Sequence, residues 1–156
     1  MPITNPTWTK LAEVKGSNSI LVDANVGNWQ PGSEIMITPA TDDGYDTHTH
    51  VISGTQVTSA GTILTLDSAL PPTTSLKDDP IAAVEVALLS RNIVWEGSAT
   101  TKLIGGHFWV FQTPDVAQRL EGVDITNFGQ QGELGRYPIH LHHCKDTPDA
   151  VIKRNT

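Results

Sequence analysis

Gly135-Arg136-Tyr137-Pro138-Ile139-His140-Leu141-His142-His143-Cys144 decides how this chain is read. Ile139 and Leu141 alternate with His140 and His142. In a strand, successive side chains point to opposite faces. One face is then apolar and the other carries two imidazoles, which can share a proton, a metal ion or an anion. The rest of the chain is read as the scaffold that positions this strand.

Working outward, similar short segments recur. Asn92-Ile93-Val94-Trp95, Phe108-Trp109-Val110-Phe111 and Val123-Asp124-Ile125-Thr126 precede the histidine strand, and their starts lie about fifteen or sixteen residues apart. Ala150-Val151-Ile152-Lys153 begins another, and Ala83–Leu89 reads as a strand before them. Short strands between Gly and polar turns predict parallel coils of a β-helix over residues 81–156, with the last coil cut short. Residues 73–80 read as a polar linker. The amino-terminal half predicts a different unit. Ser19–Asp23, Glu34–Thr38, Thr47–Ile52 and Thr62–Leu66 are short strands at close spacing, with turns at Pro31-Gly32 and Gly61, and Leu70-Pro71-Pro72 stops the series. That pattern predicts a small barrel-like lobe over 13–72, behind a lead-in at 1–12. The expected class is all-β.

Composition sets limits. The chain has 156 residues and a formal net charge of −7, with 10 Lys plus Arg. That balance argues against a nucleic-acid partner, and an anionic ligand needs a local basic pocket. No apolar run reaches membrane-span length, so no direct membrane insertion is expected. Met1–Pro6 lacks the charged and apolar segments of a signal peptide, so export would rest on a leader upstream. The single cysteine, Cys144, forms no intrachain disulfide and reads as a small buried hydrophobe.

Several segments, in order, resemble a known family: Trp8-Thr9-Lys10-Leu11, Trp29-Gln30-Pro31-Gly32-Ser33-Glu34-Ile35, Glu85–Ile93, Gly105-Gly106-His107, Gly129-Gln130 and Gly135–His142. The series is similar to the extracellular β-helix region of the cell-migration-inducing hyaluronidase, transmembrane protein 2 and fibrocystin-L group, over nearly the whole chain. Family members are far longer, with a Gly-rich domain before this region and many coils after it. The resemblance implies an extracellular, secreted location and a right-handed parallel β-helix. For some members it implies hyaluronan breakdown; fibrocystin-L-like members are viewed as surface or adhesion proteins.

Placing Val123 opposite Ile139, and Phe108 opposite Val123, gathers a site on the outward wall. Asp124 then sits beside His140 and Thr126 beside His142. Trp109 falls beside Asp124, with His107 of the same parity. His107, Asp124, His140 and His142 form a set that suits Zn²⁺ better than Ca²⁺, which prefers more oxygen ligands. The set equally suits acid–base work on a sugar bond, with Asp124, His140 and His142 as catalytic groups of a glycosidase-type, hyaluronidase-like hydrolase. Arg136 can grip a carboxylate or sulfate of an acidic glycan, or form a salt bridge to Asp124 or Glu133. Trp109, Tyr137 and Phe111 offer flat faces for sugar rings, or serve as core. His140 and His142 can alternatively bond to turns and fix the coil. His48 and His50, near Asp46, read as part of an exposed edge strand. Neither a phosphate-binding Gly loop nor a nucleophile elbow is present.

The expected function is therefore an extracellular module that binds or processes an acidic, hyaluronan-like polysaccharide, with a divalent metal as a candidate cofactor. The alternative is a non-catalytic adhesion or structural module. The open last coil is expected to self-associate, because unpaired strand edges recruit other chains.

Overall fold

A computed structural model describes residues 6–41, 43–72, 76, 83–98, 103–113 and 115–156. The expected linker at 73–80 lies outside them, except for Leu76. Two compact units divide at Ser90/Arg91. Strand dominates both, and among the described residues the only helical element is a single 3-10 turn, Gly44–Asp46.

In the first unit, six antiparallel strands close into a barrel. They are β1 (Trp8–Gly16), β2 (Ser19–Val22), β3 (Glu34–Ile37), β4 (His48–Thr58), β5 (Gly61–Leu66) and β6 (Glu85–Leu88), in the spatial order β1-β2-β5-β4-β3-β6. Alternation fills the interior. Thr62, Leu64 and Leu66 of β5 point inward, as do Ile35 and Ile37 of β3, and they meet Ile20, Val22, Ile52, Val86 and Trp29 in one apolar core. Closure depends on close backbone approach at the β4–β5 hairpin. Gly61 has φ +134°, and a Cβ there would stand 2.0 Å from the Val22 carbonyl oxygen, so only glycine fits.

Three sequence expectations change in this unit. Trp8–Gly16, partly assigned to a lead-in, is a full barrel strand. Glu85–Leu88, expected to open the β-helix, pairs with β1 and β3 and closes the barrel. Barrel closure needs a sixth strand that satisfies the free edges of both neighbours, and the nearer strands in sequence do not supply it. His50 is no edge residue, since β4 is paired on both sides by β3 and β5.

The second unit, Arg91–Thr156, contains β7 (Ile93–Glu96), β8 (Phe108–Phe111), β9 (Arg119–Glu121), β10 (Val123–Thr126), β11 (Ile139–His142) and β12 (Val151–Lys153). They form three parallel pairs: β7 with β10, β8 with β11, and β9 with β12. Val123 lies thirty residues beyond its partner Ile93, Ile139 thirty-one beyond Phe108, and Val151 thirty-two beyond Arg119. One circuit is thus β7-β8-β9, and the next is β10-β11-β12. The expected repeat of about fifteen residues is half a circuit: it separates β7 from β8 and β10 from β11, whereas β9 starts eleven residues after β8 and four before β10. Parallel neighbours need a long connection between them, which excludes pairing across the short turns.

A corner device recurs. The residue just after five of these strands has left-handed backbone: Gln112, Gly122, Asn127, His143 and Arg154. Gln, His and Arg pay about 1–2 kcal/mol for that conformation relative to the right-handed one. The turn it creates swings the chain from one pair to the next. Ile93, Trp95, Phe108, Val123, Ile139 and Leu141, with Arg119 and Glu121 of β9, line a partly open space of about 420 Å³. Cys144 is buried, as expected of it, with its thiol donating to the Val110 carbonyl at 3.6 Å.

Candidate functional site

The outer face of the β8–β11 pair carries the histidines. Ladder register sets Trp109 opposite His140 and Phe111 opposite His142. Cross-strand neighbours on one face are in side-chain contact. Here the rings stack: Trp109 on His140 at 5.8 Å with 14° between planes, and Phe111 on His142 at 5.3 Å with 16°. Tyr137 meets His140 edge-on at 5.0 Å. The result is a platform of rings, with Trp109, Phe111 and Tyr137 each about half exposed.

Beside it lies a cleft of about 420 Å³, lined by Trp109, Leu134, Gly135, Arg136, Tyr137, His140 and His142. The segment before β11 builds its rim. Gly135 has φ +86°, a conformation that favours glycine, and its carbonyl oxygen faces the His140 ring. Leu134, at the tip of this turn, is 93% exposed.

Hydrogen bonds fix the tautomers. His140 Nδ1 lies 2.9 Å from the Gly135 carbonyl oxygen, which can only accept, so Nδ1 carries the proton. Neutral His140 then has a lone pair at Nε2. His142 Nδ1 lies 3.3 Å from that atom and donates to it. Among the described residues no hydrogen bond engages His142 Nε2, and His142 lines the cleft. Partial desolvation, followed by the nearby His143 and His140, holds the His142 pKa below its ordinary value, which favours this neutral form.

Arg136 supplies the charge. Its Nη1 donates to His107 Nε2 at 2.7 Å. No carboxylate pairs with it among the described residues, so neither of the salt bridges considered from sequence forms. No Asp or Glu lines the cleft among the described residues either. In a chain of net charge −7, this is a local cationic pocket.

The expected four-residue wall does not assemble. Asp124 is opposite Val94 in the β7–β10 pair, not beside His140. Its charge acts on the Arg91 guanidinium, offsetting part of the burial that lowers the Arg91 pKa. Thr126 is opposite Glu96, not beside His142. His107 is engaged by Arg136. Among the described residues, no group of three His, Cys, Asp or Glu side chains is placed to hold a metal ion. The longer circuit explains this: β8, not β10, is the neighbour of β11. Five of the expected residues do converge, namely Trp109, Arg136, Tyr137, His140 and His142. Sequence reasoning missed the Gly135 carbonyl, Leu134 and the holding role of His107. The glycine before Arg136 was the available signal for the first.

Residues 103–156 match the CEMIP beta-helix family. The chain is 30% identical to Protein rliB of Dictyostelium discoideum over 145 residues, covering 87% of this chain and 12% of that protein. It is 28% identical to human Fibrocystin-L over 186 residues, covering 90% of this chain and 4% of the other. A Danio rerio protein named cell surface hyaluronidase is 32% identical over 78 residues, 42% of this chain and 6% of that one. The chain thus spans a small part of each relative. No helix among the described residues is long and apolar enough to cross a membrane.

Proposed function

We propose that this chain, whose residues 103–156 belong to the CEMIP beta-helix family, is an extracellular module that binds an acidic polysaccharide along β8 and β11. On this reading the two circuits are turns of a right-handed parallel β-helix. The observation that carries the proposal is one cleft that joins the Trp109–His140 stack to an Arg136 guanidinium with no carboxylate partner among the described residues. Stacked rings take the apolar face of a sugar. The guanidinium takes its carboxylate through parallel N–H donors. The relatives' names fit: one is called a cell surface hyaluronidase.

For Zn²⁺ the cleft offers His142 Nε2 and no set of three protein ligands among the described residues, so binding on this proposal is insensitive to chelators. The test is calorimetric titration with hyaluronan oligosaccharides and with a neutral β-glucan, with and without EDTA. Hyaluronan should bind in both buffers and weaken with salt, and Arg136→Ala should remove the preference for the acidic ligand. Equal affinity for both glycans, or none for either, sinks the proposal.

A further inference from the structure

Leu134 is the most exposed aliphatic side chain among the described residues, at 93%, and it lines the same cleft as Arg136. Single exposed leucines are ordinary on protein surfaces. This one is held out by its backbone. In the Glu133-Leu134-Gly135-Arg136 turn, Arg136 N–H donates to the Glu133 carbonyl at 3.2 Å. Gly135, at φ +86°, has the positive φ of the third position of a type II turn. The turn before it, residues 130–133, repeats the pattern: Glu133 N–H donates to the Gln130 carbonyl at 3.3 Å, and Gly132 has φ +83°. Gln130 N–H donating to the Arg136 carbonyl at 2.9 Å then ties the two ends of the loop together.

A glycan held by its carboxylate on Arg136 meets this apolar tip two residues back along the same turn. A sugar hydroxyl fits poorly there, because it would lose water against the leucine and gain no hydrogen bond from it. An N-acyl group fits. Its methyl is apolar, and its amide N–H needs one acceptor. The Gly135 carbonyl takes the His140 Nδ1 proton on one lone pair and keeps a second for such an N–H. Resting on the acidic-polysaccharide reading above, we propose that Leu134 is the specificity-determining residue of this cleft. It selects chains in which an N-acetylhexosamine adjoins the uronate over chains built of uronates alone.

Three parts of the cleft then read three parts of a disaccharide. Arg136 takes the carboxylate, Trp109 takes a ring face, and Leu134 takes the acetyl methyl. Only the last of these tells an N-acetylated chain from a polyuronate. A polyuronate offers Arg136 more carboxylates per unit length, and it offers Trp109 similar ring faces. The leucine discriminates by area, since covering one methyl removes apolar surface from water and is worth about fourfold in affinity. The two turns fix its backbone before the ligand arrives, so little ordering is left to oppose that gain.

The experiment titrates the 156-residue chain with three ligands of matched length: hyaluronan oligosaccharides, the same oligosaccharides carrying N-formyl in place of N-acetyl, and polyglucuronate. The N-formyl form keeps the amide and the charge and removes only the methyl. The N-acetyl form should bind about fourfold more tightly than the N-formyl form. Leu134→Ser should abolish that difference while polyglucuronate binding stays within about twofold and circular dichroism is unchanged. Leu134→Met, which restores an apolar side chain of similar volume, should restore the difference. Equal affinity of the parent chain for the N-acetyl and N-formyl forms overturns the proposal while the binding reading stands. A preference that survives Leu134→Ser also overturns it, since the methyl is then read elsewhere. No binding of any acidic glycan overturns both.

Discussion

Arg136 donates a hydrogen bond from Nη1 to Nε2 of His107, 2.7 Å away, and so is held by a neutral ring rather than by an acid. A carboxylate in that place would neutralise the guanidinium and satisfy it. An imidazole fixes its direction and leaves its charge for a ligand. His107→Gln retains an acceptor and should keep acidic-glycan affinity within about twofold. His107→Ala should lose roughly three- to tenfold, the scale of one exposed hydrogen bond of about 0.5–1.5 kcal/mol. Neutral-glycan binding should not change in either variant. Titration calorimetry on the pair checks it.

Trp109→Ala should weaken acidic and neutral glycans alike, by about 1 kcal/mol, because ring stacking does not read charge. The same change should cost little stability, since Trp109 is 46% exposed. A loss confined to the acidic ligand would show that Trp109 acts through Arg136 instead. Thermal melting and binding of the one variant separate these effects.

Acid should loosen the barrel through His50. The ring is buried, its Nδ1 bonds Ser68 Oγ at 2.9 Å, and its Nε2 has no hydrogen-bond partner among the described residues. Burial is the chief reason its pKa lies below the ordinary value; Asp67 opposes the shift and His48 adds to it. The unfolded chain, with an imidazole pKa of about 6.5, therefore binds a proton that the folded barrel resists. Stability is full above that pH and falls as pH drops from about 6.5 through the lowered folded value. The depressed pKa of exposed Asp67 acts in a separate, more acid range. Urea denaturation at a series of pH values should show the slope, and His50→Leu should flatten it.

Much of this was legible from residue order. Alternation in Glu34–Ile37 and Thr62–Leu66 marks barrel strands, because one face must be buried while the other meets water. The same parity puts His140 and His142 on one face and Ile139 and Leu141 on the other. What alternation cannot supply is the identity of the neighbour. Five strands of the second unit look alike in sequence, while β9, Arg119-Leu120-Glu121, has a single apolar residue and does not read as a strand, so a spacing of about fifteen residues reads as the circuit. That one step set Asp124 beside His140 and hid Trp109 as its true partner. The closing role of Glu85–Leu88 was hidden likewise, because a strand that seals a barrel can come from far along the chain. The left-handed corners at Gln112, His143 and Arg154 carry no turn-forming residue and left no trace to read.

The thirty-one-residue step from Trp109 to His140 works as a reading frame for the ligand face. A single residue added within the connection, if it slipped the ladder by one, would turn His140 and His142 inward and present Ile139 and Leu141 to solvent. Recognition would vanish although no contact residue had changed. Additions that bulge at a corner leave the frame intact. Lineages built on this pattern can therefore vary their corners freely, but can lengthen the row of rings only by whole circuits.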